Sequence, residues 1–169
     1  WPRVEGYGGE WRVHCVSDLH TDMKENRDWL SRHASPREAQ DVGDGCRHCL
    51  VVAGDVATKL EVVGETLARL RDLYDAVFYV PGNHELWYVG VGGTHEPLAY
   101  AEALAVHEGR PPTRDSLAKF VAVLRLCGRL GVRTAPASLS DALHVCPFFS
   151  WYRDTLVDDG SPPSPQELG

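Results

Sequence analysis

Three short apolar runs punctuate the first half of the chain, and each stops at residues that suit a turn. Residues 11–17 end at Asp18, residues 49–53 end at Gly54-Asp55, and residues 76–80 end at Pro81-Gly82-Asn83. Continuous apolar strands bounded by turn residues are what a sheet covered on both faces requires. Between the second and third runs, Leu60, Val63, Leu67, Leu70 and Tyr74 recur at intervals of three and four, which predicts a helix with one apolar stripe. The same spacing at Leu117, Phe120, Val121, Leu124 and Cys127 predicts a second helix, stopping near Gly128 or Gly131 because glycine accepts the left-handed cap. Residues 132–134 and 143–149 read as two further strands, and a weaker helical pattern covers residues 23–33. The fold class expected is α/β.

Two stretches read as surface insertions. Residues 31–47 are polar and hold Pro36, Gly43 and Gly45; residues 89–112 begin Gly-rich and end Pro-Pro, with Ala and Leu enough for a short helix at 99–107. Each abuts one of the turns that end the apolar runs. Residues 156–169 read as a flexible Pro/Ser-rich tail.

Composition narrows the possible partners. A chain of 169 residues can build one domain with its own core, and a net charge of −7 argues against broad binding to nucleic acid or an anionic membrane. A small anionic substrate stays compatible with that charge if bound cations reverse the local field. No apolar run approaches the roughly 20 residues needed to span a bilayer, and no basic-then-apolar leader is visible. The expectation is a soluble, intracellular protein, cytoplasmic by default. Five cysteines, an odd number, suit free thiols better than a disulfide scaffold. Cys46 and Cys49 form a C-x-x-C that Cys127 and Cys146 could complete as a zinc site, but the plainer reading has Cys46 ending a loop and Cys49 opening a buried strand. The first residue is Trp and the last segment is Pro/Ser-rich, so the sequence reads as a piece of a longer product.

The candidate chemistry lies in the three turns. In open α/β sheets, binding residues gather in loops beyond the carboxyl ends of the strands, where several loops converge. Asp18 and His20, two apart on an extended segment, offer an oxygen and a nitrogen to one ion. Asp55 has two carboxylate oxygens and enough lone pairs to bridge two ions, and Asn83 offers its carbonyl oxygen to the second. His84 suits a cation or acid beside phosphate oxygens or a leaving group. Such a pair of divalent ions, about 3.5–4 Å apart in two-metal enzymes, lowers the pKa of a shared water and shields the charge of an in-line displacement. Glu85 reads as structural, His14 and His144 as strand residues, and His33, His48, His95 and His107 as solvent-facing. Trp87, Tyr88, Trp151 and Tyr152 are candidates to line a crevice.

Asp18-Leu19-His20, Gly54-Asp55 and Gly82-Asn83-His84-Glu85 in this order resemble the calcineurin-like metallophosphoesterase superfamily, whose signatures include D-x-H, G-D and G-N-H-D/E. Residues 17–22 and 147–152 are similar to a plant and algal branch of it. The resemblance implies a two-sheet β-sandwich flanked by helices over residues 11–155, incomplete at the C-terminal side. It implies two divalent metal ions, Mn, Fe, Zn or Mg. Asp18 and His20 would bind the first, Asp55 would bridge, Asn83 would bind the second, and His84 would meet the substrate phosphate. The activity implied is hydrolysis of a phosphomonoester or phosphodiester by a metal-activated water, with a small phosphate ester as substrate. Gly54 to Thr58 lacks the charged residues that the protein Ser/Thr phosphatases carry after G-D, which disfavours protein phosphatase activity. The superfamily's later lone His and G-H-x-H block have no counterpart here, so three side chains would serve the first ion and two the second. The alternatives are a non-catalytic scaffold of the same fold, as one retromer subunit is, and an inactive truncated fragment whose second sheet exposes unpaired edges.

Overall fold

A computed structural model describes residues 1–34, 45–87 and 116–150. The elements in chain order are β1 (Trp11–Val16), α1 (Lys24–His33), β2 (Arg47–Ala53), α2 (Leu60–Leu73), β3 (Ala76–Val80), a one-turn α3 (Asn83–Leu86), α4 (Ser116–Leu130), β4 (Ala137–Ser138) and β5 (His144–Val145). The predicted runs thus become strands and the two predicted stripes become helices. The weaker pattern at 23–33 is α1, which takes the first residues assigned above to an insertion.

β1, β2 and β3 form one sheet in that order, all parallel, with Trp11 opposite Arg47 and Cys49 opposite Ala76. Parallel neighbours need crossovers, and α1 and α2 supply them. Alternation along β2 and β3 then sorts the side chains. Leu50, Val52, Val77 and Tyr79 face the helices and join Leu60, Val63, Leu67 and Leu70 of α2 in the main core. Cys49, Ala76 and Phe78 face the other way, against Val4, Ala137 and Leu139. On that side lies the second sheet, β4 paired antiparallel with β5. Two sheets with helices on the outer face of the larger one give the layers expected of a metallophosphoesterase fold. Burial pushes the thiols of Cys49 and Cys127 up to about 12, so both behave as small core hydrophobes; none of the five cysteines forms a disulfide.

Three expectations need correction. Residues 132–134 are not a strand: Arg133 makes a single parallel bridge with Phe78, its N–H donating to Val77 O at 2.9 Å and its carbonyl accepting from Tyr79 N–H at 2.8 Å. The strand expected at 143–149 pairs only at His144 and Val145; Pro147 has no N–H to give a ladder. The third concerns α4. Leu117 is 70% exposed, and the buried positions are Lys119, Ala122, Val123, Leu126 and Cys127, so the inward face is rotated from the predicted stripe. Apolar residues surround most of this helix, and periodicity alone could not choose between its faces. Close packing on α2 chose instead, for a Cβ at Gly64 would lie 3.3 Å from Leu126 Cδ2. The helix stops at Gly131, φ +70°, where Val132 N–H donates back to Cys127 O at 2.9 Å.

The insertion at 89–112, the helix expected at 99–107, and the tail at 156–169 lie outside the described residues, as do most of 31–47, His95, His107, Tyr88, Trp151 and Tyr152. Among the described residues, no helix is long and apolar enough to cross a membrane.

Candidate metal centre

Main-chain pairing between β1 and β2 does not stop where the strands end. Asp18 N–H donates to Gly54 O at 3.2 Å, His20 N–H to Asp55 O at 3.0 Å, and Thr21 N–H to Val56 O at 2.8 Å. The fully buried Thr21 anchors the run, its hydroxyl within 3.1 Å of Val56 O and 2.7 Å of the Thr66 hydroxyl on α2. Asp18, His20 and Asp55 all have left-handed backbone, with φ of 54°, 42° and 53°. They are the only non-glycine residues so placed among those described. Each such residue costs about 1–2 kcal/mol relative to a right-handed or extended one, and strain of this kind collects at functional sites.

The loops after β2 and β3 meet backbone to backbone. A Cβ on Gly54, itself at φ +77°, would lie 2.9 Å from Gly82 Cα, and one on Gly82 would lie 2.7 Å from Asp55 N. Glu85 locks the junction from below. Fully buried, its carboxylate accepts N–H groups from Gly82 at 2.8 Å, Asp55 at 3.1 Å, Ala57 at 3.3 Å and Val56. Glu85 is therefore the frame of the turn. Asp55 closes the loop from above, its Oδ1 accepting His84 N–H at 3.1 Å.

Beneath the turn sit two further polar groups. Lys119, 5% exposed, donates from Nζ to Thr58 O at 2.6 Å and Trp87 O at 2.9 Å. Burial lowers its pKa to about 8, against the opposing pull of Glu85's negative charge. Among the described residues the buried Tyr79 hydroxyl meets no hydrogen-bond partner, and burial, followed by the nearby charge of Glu85, pushes the phenol well above its ordinary range.

Above the turn, ligand atoms of His20, Asp55 and His84 all lie within 4.8 Å of one another. One loop from each parallel strand contributes one of them. The rings of His20 and His84 meet edge to face at 4.6 Å, and Trp87, half exposed, lies over His84 with centroids 3.8 Å apart. Asp18 is exposed at the loop's start and is not one of the trio. Asn83 is exposed at the first position of α3, where it lines a cavity of about 720 Å³ together with Gly54, Asp55, Gly82 and the 145–150 segment. A carboxylate and two imidazoles this close are oxygen and nitrogen donors of the kind that hard and borderline divalent ions take, and the same Asp55 lines the cavity beside Asn83.

Some histidines lie elsewhere. His14 and His144 are in β1 and β5 as expected. His48 is not simply solvent-facing: its Nδ1 lies 3.0 Å from His14 Nε2, and the rings stack. The sequence reading missed Lys119, because a lysine on a helix is normally solvated; its place beside Ala122, Val123 and Leu126 was the available signal.

A calcineurin-like phosphoesterase family profile matches residues 12–154, most of the chain and all of the geometry just described. The chain belongs to the calcineurin-like phosphoesterase family. Among characterised relatives it is 36% identical, over 83 residues, to [acyl-carrier-protein] phosphodiesterase PptH of Mycobacterium tuberculosis (strain ATCC 25618 / H37Rv). That match covers 49% of this chain and 23% of the relative, so the chain spans about a quarter of that protein's length. The crystal structure of phosphopantetheinyl hydrolase PptH from Mycobacterium tuberculosis superposes with a TM-score of 0.50 at 27% identity, covering 74% of this chain and 35% of that one.

Proposed function

We propose that this chain carries the metal-binding half of a hydrolase that cleaves phosphate esters. The observation that carries the reading is the convergence of His20, Asp55 and His84 donor atoms within 4.8 Å, with His20 and Asp55 held in left-handed backbone. Asp18, His20, Asp55 and Asn83 would hold two divalent ions, with Asp55 between them. Bound there, the ions would supply Lewis acidity toward the phosphoryl oxygens and a water acidified to near neutrality. His84 carries out the chain's own part in the chemistry. Its ring, close to the His20 and Asp55 donors, would hold a phosphoryl oxygen or give a proton to the departing oxygen. Trp87, lying over the ring, limits the directions that the imidazole can take. The fully buried Glu85 holds the Asp55 main chain, so that the bridging carboxylate is oriented before substrate arrives.

A diester is the favoured substrate class, since the relative 36% identical over 83 residues is by name a phosphodiesterase. A scaffold without chemistry would have no need of strained backbone at three donor residues. The test is hydrolysis of a chromogenic phosphodiester and its monoester with and without Mn²⁺, beside Asp55→Asn. The expected outcome is metal-dependent turnover, greater on the diester, that falls by about 100-fold or more in the variant while its melting point changes little. Equal turnover in Asp55→Asn would refute the bridging role, and no turnover in the parent would leave the scaffold reading.

A further inference from the structure

Lys119 is a buried charge that the proposed chemistry does not use. We infer that Lys119 is a positioning residue for the metal centre, its ammonium fixing the loop that carries Asp55 against the segment that follows His84. The inference rests on the metal-centre reading above.

Three observations carry it. First, the two acceptors are Thr58 O and Trp87 O, each three residues beyond a member of the donor trio. One nitrogen therefore fastens the second and third loops to the same point of α4, the long helix that packs on α2. Second, Trp87 is not an idle anchor. Its indole lies over the His84 ring, which in turn meets His20, so a shift of the Trp87 main chain moves the surface against which His84 is held. Third, a lysine at 5% exposure is costly. A side chain needed only for packing would be apolar, like Ala122, Val123 and Leu126 on the same inward face. The cost is met by two main-chain acceptors and by the nearby charge of Glu85, the residue that frames the same turn. Lys119 and Glu85 thus grip the loops by opposite chemistry: the carboxylate collects N–H groups, and the ammonium collects carbonyls.

The experiment is Mn²⁺ titration by calorimetry at neutral pH on the whole chain, with histidine-ring ¹H–¹⁵N spectra. It compares wild type, Lys119→Met, Lys119→Arg and, as a control on the same helix face, Leu126→Ala. Lys119→Met should weaken Mn²⁺ binding about tenfold or more and move the His84 ring resonances, the size expected when a ligand's support is removed, whereas Lys119→Arg, which keeps charge and donors, should stay within about threefold. Leu126→Ala should lower the melting point and leave the affinity within about the same threefold, because it loosens the core without touching the loops. An unchanged affinity in Lys119→Met, or an equal loss in Leu126→Ala, would overturn the inference while the metal-centre reading stood. If Lys119→Met gives no cooperative melt, Lys119→Gln is judged by the same criteria. Failure of wild type to bind Mn²⁺ at all would overturn the metal-centre reading, and this inference with it.

Discussion

Glu85→Gln is the change that tests most directly how the centre is built. The glutamate accepts four main-chain N–H groups, two at each oxygen: Gly82 and Asp55 at Oε2, Val56 and Ala57 at Oε1. A glutamine of the same shape keeps one oxygen and turns the other into an NH₂ donor. Whichever way the amide is placed, two N–H groups lose their acceptor and face a donor instead. Hydrogen bonds to a charged group are worth about 1.5–3 kcal/mol each, so two lost bonds amount to about 3–6 kcal/mol. That is a large part of the 5–15 kcal/mol, roughly, that separates a folded domain from its unfolded chain. Urea unfolding followed by circular dichroism reads the difference. The same cycle with Lys119→Met apportions it, because each charge offsets part of the other's burial, and the double variant should be about 1 kcal/mol more stable than additivity gives. A loss below about 1 kcal/mol in Glu85→Gln would mean that the four N–H groups find water or other acceptors, and that the carboxylate is not the frame.

Two further outcomes follow from the same geometry. Gly54→Ala places a Cβ at φ +77° and 2.9 Å from Gly82 Cα, and should cost about 2 kcal/mol or more; an unchanged melting point would show that the two loops can move apart freely. The pKa of His14 is lowered first by burial and then by the charges of His48 and Arg12. A histidine whose folded pKa is depressed contributes stability that is present above its unfolded value, about 6.5, and lost as pH falls below it. The urea midpoint should therefore drop as pH falls below 6.5, and the drop should flatten in His14→Gln; parallel pH profiles would place the acid sensitivity elsewhere.

Much of the framework is legible in the sequence because its signals are local. Val77, Phe78 and Tyr79 form an unbroken apolar run that ends at Pro81-Gly82, and β3 occupies that run. Leu60 to Tyr74 carries one stripe and folds as one helix. The ends of these elements hold Asp18, His20, Asp55, Asn83 and His84, so the strand boundaries and the candidate donors could be read together. What stayed hidden depends on packing between elements. α4 is apolar on more than one side, and the close approach of Leu126 to Gly64 with the Lys119 contacts to Thr58 O and Trp87 O accompanies a face that has Lys119 inward and Leu117 outward. The length of β5 depends on where its partner stops and where Pro147 removes a donor. His48 looks like a loop histidine until β2 is set beside β1 and His14 becomes its neighbour.

The main-chain bonds that run past the ends of β1 and β2 have a consequence for the order in which the protein forms during synthesis. His20, Asp55 and His84 leave the ribosome one loop at a time, and each gains its neighbours only when the next parallel strand has docked in the correct register. A slip of one residue between β1 and β2 would turn the β1 side chains to the opposite face and put residues 18–21 out of step with their partners at 54–56. A nascent chain that ends before β3 therefore carries two of the three donors and lacks the Glu85 carboxylate that holds their loop. The bonds between residues 18–21 and 54–56 can form earlier, but the Asp55 and Val56 N–H groups have no Glu85 carboxylate to meet until residue 85 has emerged. On the proposed reading, metal capture would wait until the parallel sheet is complete, and an early, wrongly seated ion would have little to grip.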